Sequence, residues 1–409
     1  MLKNNNQHRL GQHYSKEEEL ISNYNSILLK QKTKIIVDPF VGEGHLLFHY
    51  LNLFEFKIQK EILENKLIRG YDLFEKNILF IKEKMKAKYR LSNDLVNDLF
   101  HVRDSLLDTT LPKNTFILTN PPYLAKNVCK KNYQEDFKKY YLEEYKKEND
   151  YYEIALKEYS GYSGIWIVPS NLFSSDIMHK IRKQLILNLE NIFIYQKKIF
   201  DDTDITVTTF FNNKNISSNK KKITFVNHTK TETNLVVSKD GNLSEEWDNI
   251  KLIKNNNNIK QGYIDNNIKE GKKEVLLLNT NYKEETFNIT EEDEKHLKKN
   301  ILILRTTDTG TEQGKLGLYT IEEIWGSKKT IGLVTKISSR VYTQLFFDLS
   351  INEQLILKDK FNIEINNLRK KYHSIFLTNY KNSSNGIQRK RITFKETFSL
   401  INKIINDGL

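Results

Sequence analysis

The sequence predicts an α/β protein built on an open, largely parallel β-sheet. Two observations indicate this fold class. Short apolar runs of strand length alternate with amphipathic stretches of helix length through the first half of the chain, which is the pattern of repeated β-α-β units. Polar residues or glycines directly follow several of these runs, as expected at the carboxyl ends of parallel strands, where ligands bind.

Eight apolar runs are predicted as strands, at residues 34–37, 68–71, 101–102, 115–118, 164–168, 192–195, 205–211 and 223–226. Helices are predicted at residues 17–30, 45–54, 77–88, 137–159 and 177–189. The polar loop 212–222 is consistent with a hairpin between the last two strands. We therefore expect the sheet to end with an antiparallel edge.

A change of composition marks the expected domain boundary. Residues 229–246 are polar and contain the turn signal Gly241-Asn242. A chain of 409 residues is long enough for two folding units, so we predict domains at residues 1–235 and 236–409. In the second domain, short apolar runs at 275–278 and 301–304 and helical patterns at 352–359 and 394–405 predict an α+β fold.

The net charge of +12 and the isoelectric point near 9.2 favour a polyanionic partner. The abundance of Lys, Asn and Ile leaves an AT-rich coding bias as the alternative source of this charge. The single cysteine, Cys129, leaves no partner for an internal disulfide. The N-terminus does not resemble a signal peptide and no long apolar stretch is present, so we expect a cytoplasmic protein that does not contact membranes. We also expect a monomer without a metal site.

The segment DPFVGEG at residues 38–44 lies between a predicted strand and a predicted helix. Its glycines, Gly42 and Gly44, let the backbone approach a ligand, and the following helix N-terminus offers unpaired N–H groups. A G-x-G spacing is a weak signal by itself, with a simple tight turn as the alternative.

Two aspartates strengthen the indication of a ligand site. Asp72 and Asp104 follow the second and third predicted strands, as Asp38 follows the first. In an open parallel sheet these positions line one crevice. The Asp72 carboxylate suits the two hydroxyls of a ribose, and Asp104 suits the exocyclic amine of an adenine. Together with the glycines, they predict a nucleoside-containing cofactor.

The strongest signal is Asn120-Pro121-Pro122-Tyr123, directly after the fourth predicted strand. The prolines fix the backbone and remove two N–H donors, and Asn120 adds an amide oxygen. Two rigidly held acceptors match an –NH2 group with two hydrogens, and the Tyr123 ring offers a flat face on which a base can stack. The segment therefore predicts a catalytic site for a planar amine.

With these motifs, the sequence resembles the amino-group DNA methyltransferases of restriction-modification systems, in the order where the cofactor motif precedes the catalytic motif. The element G-Q-x-[FY]-[ST] corresponds to residues 11–15, D-P-x-x-G-x-G to 38–44 and N-P-P-Y to 120–123, and a later element is similar to residues 164–172. The resemblance covers about residues 10–227.

The resemblance implies a Rossmann-like, S-adenosylmethionine-dependent methyltransferase sheet and a C-terminal DNA-recognition domain. The implied activity is site-specific methylation of adenine N6 in duplex DNA, with the base flipped out of the helix. The implied cofactor-binding residues are Gln12, Tyr14, Asp38, Pro39, Phe40, Gly42, Gly44, Asp72, Asp104 and Asn120. Asn120 and a carbonyl near Pro121 would accept the two amine hydrogens, so that the nitrogen lone pair attacks the donor methyl without a covalent enzyme intermediate.

Two groups of residues are expected to contact DNA. Family members often place an aromatic residue on the second face of the flipped base; Phe210 and Phe211 are the candidates, and we favour Phe211, with a core role as the alternative. The predicted phosphate or base contacts are Lys126 and Lys130, in an expected basic loop at 124–131, and Arg305, Arg340, Arg389 and Arg391. Ordinary solvated charges are the alternative for each of these cations.

Several other functions remain open at this point. N4-cytosine methylation is the closest rival, although that group often has serine where Asn120 stands. RNA adenine methylation, glutamine methylation of the release-factor type and a non-catalytic DNA-binding subunit are further alternatives. A companion restriction endonuclease is a candidate partner, whereas no endonuclease motif is evident in the chain itself.

Overall fold

The computed structural model describes residues 18–142, 144–174, 178–195, 199, 206–226, 230–236, 245–262, 271–307, 316–334, 341–371, 377–382, 388–390 and 392–409. The chain divides into two compact units. The first comprises Met1–Leu243 with Asn379–Asn382, and the second comprises Ser244–Thr378 with Ser383–Leu409. The boundary predicted between residues 235 and 236 falls inside a strand of the first unit, Lys230–Val236, and the assignment of the two parts to catalysis and DNA recognition stays a prediction.

The first unit is an α/β structure. Its strands are β1 Ile35–Asp38, β2 Ile68–Asp72, β3 Phe100–Val102, β4 Thr115–Thr119, β5 Gly164–Pro169, β6 Leu189–Tyr195, β7 Val207–Asn212, β8 Lys220–Val226 and β9 Lys230–Val236. Its helices are α1 Glu18–Ile21, α2 Asn25–Leu29, α3 His45–Asn52, α4 Phe56–Glu64, α5 Glu75–Tyr89, α6 Asn93–Leu99, α7 Lys126–Asn132, α8 Gln134–Tyr141, α9 Tyr151–Tyr159, α10 Asn171–Ser174 and α11 His179–Leu185.

The nine strands form one sheet in the order β3-β2-β1-β4-β5-β7-β6-β8-β9. Strands β1 to β5 run parallel to one another, as the alternating sequence pattern predicts. The central strands β1, β4 and β5 are buried apolar runs, so the sheet is covered on both faces. The strand order reverses between β1 and β4, which is the topological switch point where open α/β sheets bind ligands.

The predicted hairpin between residues 205–211 and 223–226 is wrong. Strand β7 lies antiparallel between β5 and β6, whereas β8 pairs in parallel with β6. All six residues of β7 are buried, as expected of an interior strand with neighbours on both sides. The sheet does end with an antiparallel strand, but this strand is β9, whose polar sequence KTETNLV does not predict it.

Two helical predictions also need correction. Residues 137–159 form two helices, α8 and α9, because Asp150 begins a new helix by capping it: the Asp150 side chain accepts a hydrogen bond from the Tyr152 N–H. The expected loop at 124–131 is mostly helix α7. The sequence also leaves α4 and α6 unpredicted.

The second unit has an α+β arrangement, as predicted. Its strands form a four-stranded sheet of β10 Lys260–Gly262, β16 Tyr342–Phe346, β13 Ile303–Arg305 and β14 Gly317–Tyr319, and a three-stranded sheet of β12 Glu284–Ile289, β11 Lys273–Leu278 and β15 Gly332–Leu333. Two further described strands are β17 Leu377–Asn382, of which Asn379–Asn382 is assigned to the first unit, and β18 Gln388–Lys390. The helices are α12 Glu245–Lys251, α13 Glu291–Lys299, α14 Ile321–Trp325, α15 Ile351–Lys371 and α16 Phe394–Asn406. In the described part of the chain, none of the helices combines the length and apolar character needed to cross a bilayer.

Candidate active site

The turn between β1 and α3 has the backbone conformation that its glycines were expected to allow. Gly42 and Gly44 have φ angles of 52° and 82°, in the left-handed region that favours glycine. A Cβ atom on Gly44 would lie 2.2 Å from Cδ1 of the buried Ile81. Both the φ angle and the lack of space therefore restrict this position to glycine.

Asp72, at the end of β2, holds this turn. Its Oδ2 accepts a hydrogen bond from the Gly42 N–H at 2.9 Å, and its Oδ1 accepts from the Phe74 N–H at 2.8 Å and the Asn77 Nδ2 at 3.1 Å. The side chain is 2% exposed, yet Asp72 also lines the cavity above the turn. The carboxylate thus fixes the glycine turn, and its predicted contact with a ribose stays a prediction.

Asp38 connects the glycine turn to the strand that carries the catalytic motif. Its Oδ1 accepts hydrogen bonds from Thr119 Oγ1 at 2.7 Å and from the Phe40 N–H at 3.0 Å. Burial raises the pKa of Asp38 to about 7, although these two hydrogen bonds lower it, and the neighbouring Asp72 raises it further. This carboxyl group therefore titrates near neutral pH.

Asp104, after β3, faces side chains from α8. Its Oδ2 forms an ion pair with Lys139 and accepts a hydrogen bond from the Tyr140 hydroxyl at 2.9 Å. Its Oδ1 accepts from the Leu106 N–H at 3.2 Å. Helix α8 therefore orients the carboxylate that was expected to bind the adenine of a cofactor, and that binding role stays a prediction.

One cavity of about 760 Å³ brings these motifs together. Of the predicted site residues, it is lined by Asp38, Phe40, Gly42, Asp72, Asp104, Asn120, Pro121 and Pro122. Pro39 and Gly44 belong to the same turn but do not line the cavity. Gln12 and Tyr14 lie outside the described residues.

Asn120 is among the residues that line the cavity, whereas Tyr123 is not. Tyr123 is 5% exposed and packs edge-on against Tyr152, with ring centroids 6.1 Å apart. Its hydroxyl lies within hydrogen-bonding distance of Asn120 Oδ1 and, at 2.9 Å, of the Ile167 carbonyl oxygen. The stacking role of Tyr123 stays a prediction, and it requires the buried ring to become accessible to a base.

The assignment of Phe211 as a base-stacking residue stays a prediction, and Phe211 is not among the residues that line the cavity. On β7, Phe211 pairs with Ile165 near the beginning of β5, and Ile165 pairs in turn with Leu118 of β4. Its ring packs against Phe116, with centroids 5.9 Å apart. The other candidate, Phe210, is fully buried and contacts Phe173, so both phenylalanines belong to the core.

The lysines and arginines that were predicted to contact DNA differ in their contacts and in their burial. On α7, Lys126 hydrogen-bonds the Lys146 carbonyl oxygen, and Lys130 lies over the Phe137 ring. Arg305 is 3% exposed and donates to the Thr307 carbonyl oxygen, which contradicts its assignment as a surface contact for DNA. Arg340 and Arg391 lie outside the described residues, as does the side chain of Arg389.

Tyrosines around the cavity were not predicted as site residues. Tyr140 and Tyr151 line it, and the hydroxyls of Tyr145 and Tyr159 donate to the carbonyl oxygens of Leu106 and Ser105. The sequence signal was the high density of tyrosine between residues 140 and 159, which also fits an ordinary core. These side chains support the loop after β3 that carries Asp104.

Comparisons with known proteins give one family match and several distant structural matches. The family model described as N-6 DNA Methylase matches residues 1–263. No curated protein matches the chain significantly. A modification subunit of a putative type I restriction enzyme from Vibrio vulnificus YJ016 matches with 15% identity and a TM-score of 0.39, over 57% of this chain and 58% of that one.

Two further solved structures match the chain over different shares of its length. The type I restriction-modification methyltransferase subunit from Streptococcus thermophilus matches with 15% identity and a TM-score of 0.39, over 58% of this chain and 51% of its own. The type ISP enzyme LlaGI, in a nuclease-deletion form, matches with 10% identity and a TM-score of 0.49, over 97% of this chain and 47% of its own. The chain therefore spans about half the length of these proteins.

Proposed function

Because the chain belongs to the N-6 DNA methylase family, we propose that it transfers a methyl group from S-adenosylmethionine to the N6 atom of an adenine in duplex DNA. The observation that carries this proposal is the single cavity shared by the glycine turn, Asp72 and the Asn120-Pro121-Pro122 motif. A methyl donor and an amine acceptor have to meet at one place, and this cavity is lined by the residues expected for each.

The cavity fits the proposed donor in the chemistry of the residues that line it. Its carboxylates, Asp38, Asp72 and Asp104, are suited to hydroxyl groups, an exocyclic amine and a cationic centre. When bound, S-adenosylmethionine supplies a methyl group made electrophilic by its sulfonium.

The chain's own contribution is to hold and orient the target amine. Asn120 Oδ1 accepts one amine hydrogen, and a backbone carbonyl near Pro121 accepts the other, which localises the nitrogen lone pair for attack. Fixed acceptors and correct placement are the main sources of such catalysis. The Tyr123 hydroxyl now lies against Asn120 Oδ1, so the target amine has to share or replace that contact.

The proposed function also implies the binding partners of the protein. Duplex DNA is the substrate, and the second unit together with cations such as Lys126 and Lys130 recognises it. Flipping the base costs about a few kcal/mol, which protein–phosphate contacts have to offset. We propose that the protein works within a restriction-modification system alongside a companion endonuclease.

Transfer of labelled methyl groups tests the function. The purified protein is incubated with methyl-labelled S-adenosylmethionine and mixed-sequence duplex DNA, and the modified base is identified by nucleoside analysis and sequencing. We expect N6-methyladenine within a defined sequence. Label on cytosine N4, on RNA or on a protein glutamine would replace the proposal with one of the alternatives, and cofactor binding without transfer would indicate a non-catalytic subunit.

Binding of S-adenosylmethionine is expected to weaken as pH falls through about 7. Free Asp38 has a pKa of about 7, and a cationic ligand favours its ionised form. Binding thus lowers this pKa, so the affinity is fully present at higher pH and is lost as Asp38 becomes protonated. A decrease of about one pKa unit, from about 7 in the free protein, corresponds to about fivefold weaker binding at pH 6 than at pH 8.

Titration calorimetry between pH 6 and 8 measures this effect. Asp38→Asn should bind with nearly constant affinity over that range. The matched control Asp94→Asn removes an exposed carboxylate on α6 and should keep the wild-type dependence. A wild-type affinity that is the same at both pH values would show that Asp38 is not coupled to the ligand.

A further inference from the structure

The segment after the catalytic motif is joined to the segment that begins α9. The Lys126 N–H donates to the Asn149 carbonyl oxygen at 2.8 Å, and the Tyr151 N–H donates to the Leu124 carbonyl oxygen at 3.3 Å. Between these bonds, Ala125 and Asp150 form an antiparallel bridge. The chain leaves the motif at Leu124 and, after α7 and α8, returns to the same place at Asp150.

Asp150 lies at the centre of this junction. It is 3% exposed, and its Oδ1 accepts hydrogen bonds from the Leu124 N–H at 3.0 Å and from the Tyr152 N–H at 3.4 Å. Leu124 directly follows Tyr123, and Tyr152 supplies the ring that packs edge-on against Tyr123. One carboxyl oxygen thus holds both the backbone after Tyr123 and the residue that packs against its ring.

The effect of this anchor extends to the acceptor amide. The Tyr123 hydroxyl lies against Asn120 Oδ1, and Tyr152 is itself held by a hydrogen bond from its hydroxyl to Asn171 Oδ1 at 2.7 Å. A shift of Leu124 or Tyr152 would therefore move the Tyr123 ring and, through its hydroxyl, the Asn120 amide. Misplacement of a reacting group by about 1 Å can cost about a hundredfold in rate.

We propose that Asp150 is a positioning residue for methyl transfer, which holds Tyr123 and thereby the Asn120 acceptor in the geometry needed for the target amine. This inference rests on the proposed function. Asp150 is not among the residues that line the cavity, so it acts through Leu124 and Tyr152. Its loss should therefore reduce kcat far more than cofactor affinity.

The neutral form of the side chain should be sufficient for this role. Burial raises the pKa of Asp150 to about 8, although hydrogen bonds from the Tyr152 and Leu124 N–H groups lower it. The group is then substantially protonated near neutral pH, and what it provides is an oxygen acceptor at a fixed place. An asparagine side chain at this position would retain that oxygen, so Asp150→Asn is the conservative variant that should preserve the function.

Two variants separate positioning of the motif from capping of α9. Asp150→Ser retains a good cap for the Tyr152 N–H but is too short to reach Leu124 as well, whereas Asp150→Asn can accept both bonds. We expect Asp150→Ser to lower kcat at least tenfold with the Kd for S-adenosylmethionine within twofold of wild type. We expect Asp150→Asn to keep kcat within about threefold.

The matched control is Glu153→Ala. Glu153 is a second buried carboxylate on α9, 7% exposed, which accepts hydrogen bonds from the backbone and side chain of Asn149. Its removal tests the general cost of losing a buried acid from this helix. We expect kcat in Glu153→Ala to change less than threefold.

Amide hydrogen exchange gives a readout that does not depend on activity. In Asp150→Ser, a peptide containing Leu124 should exchange faster than in wild type, Asp150→Asn and Glu153→Ala. Equal exchange and equal kcat in Asp150→Ser and Glu153→Ala would overturn the proposal, as would a loss of kcat in Asp150→Asn as large as in Asp150→Ser. Absence of methyl transfer by the wild-type protein would instead refute the proposed function, while the exchange experiment would still report on the anchor.

Discussion

Asn120→Ala is expected to reduce methyl transfer by about two to three orders of magnitude, the cost typical of removing one preorganised polar group from a reaction centre. Asn120 lines the cavity together with residues of the glycine turn, and alanine offers no side-chain oxygen to the target amine. Single-turnover transfer of labelled methyl groups to duplex DNA measures the rate. The affinity for S-adenosylmethionine should stay close to wild type, because the glycine turn and Asp72 are unchanged.

The matched control for this variant is Asn97→Ala. Asn97 is an exposed asparagine on α6 that accepts a hydrogen bond from Lys82 Nζ, away from the cavity-lining residues. Its substitution should leave transfer unchanged. Wild-type turnover by Asn120→Ala would exclude the assigned role, and an equal loss of cofactor affinity and rate would move Asn120 from catalysis to cofactor binding.

Gly44→Ala is expected to weaken cofactor binding at least tenfold and to destabilise the fold by about 1–3 kcal/mol, the range for a non-glycine residue held in a left-handed conformation. Gly44 has a φ angle of 82°, and the new Cβ would meet Cδ1 of Ile81 at 2.2 Å. The positive φ angle strains the alanine backbone, and either the turn or the buried Ile81 side chain has to shift to relieve the overlap. Calorimetric titration and denaturant unfolding measure the two effects.

Two further variants separate backbone strain from steric overlap. Gly326→Ala introduces alanine at a φ angle of 70° with no atom within 4 Å of the new Cβ. It therefore measures the cost of the backbone angle alone, about 1–2 kcal/mol, without a change in cofactor affinity. Combining Gly44→Ala with Ile81→Ala should restore part of the lost affinity by removing the overlap. Cofactor affinity of Gly44→Ala equal to wild type would show that this turn does not shape the binding site.

The parallel half of the sheet could be predicted because its signal is local. Each of strands β1, β2, β4 and β5 is a short apolar run, and the residues that matter come directly after it, as with Asp38, Asp72 and Asn120. The carboxyl ends of parallel strands lie at one edge, so their order in the chain was sufficient to predict that these residues share a crevice. The cavity confirms their convergence.

The incorrect predictions of strand order concern strands whose neighbours in the sheet are distant in the sequence. Residues 207–212 have the apolar composition of any buried strand. Nothing in this composition predicts that β7 lies between β5 and β6 in the sheet. That placement reverses the strand direction and pairs Phe211 with Ile165, and the Phe211 ring packs against Phe116. The position of Asp150 has the same origin, because its partner Leu124 is 26 residues away in the chain.

The sequence by itself determined the fold class and the glycine turn, and it predicts the catalytic segment, because each depends on residue type and on spacing within a few residues. The tertiary structure alone decided the surroundings of individual side chains: Tyr140 lines the cavity, Asp150 holds Leu124 without lining the cavity, Phe211 packs against Phe116 and Arg305 is buried. The physical reason is that strand order and burial result from packing between segments far apart in the chain. The spacing of residues within one segment carries no information about which distant segment it will pack against.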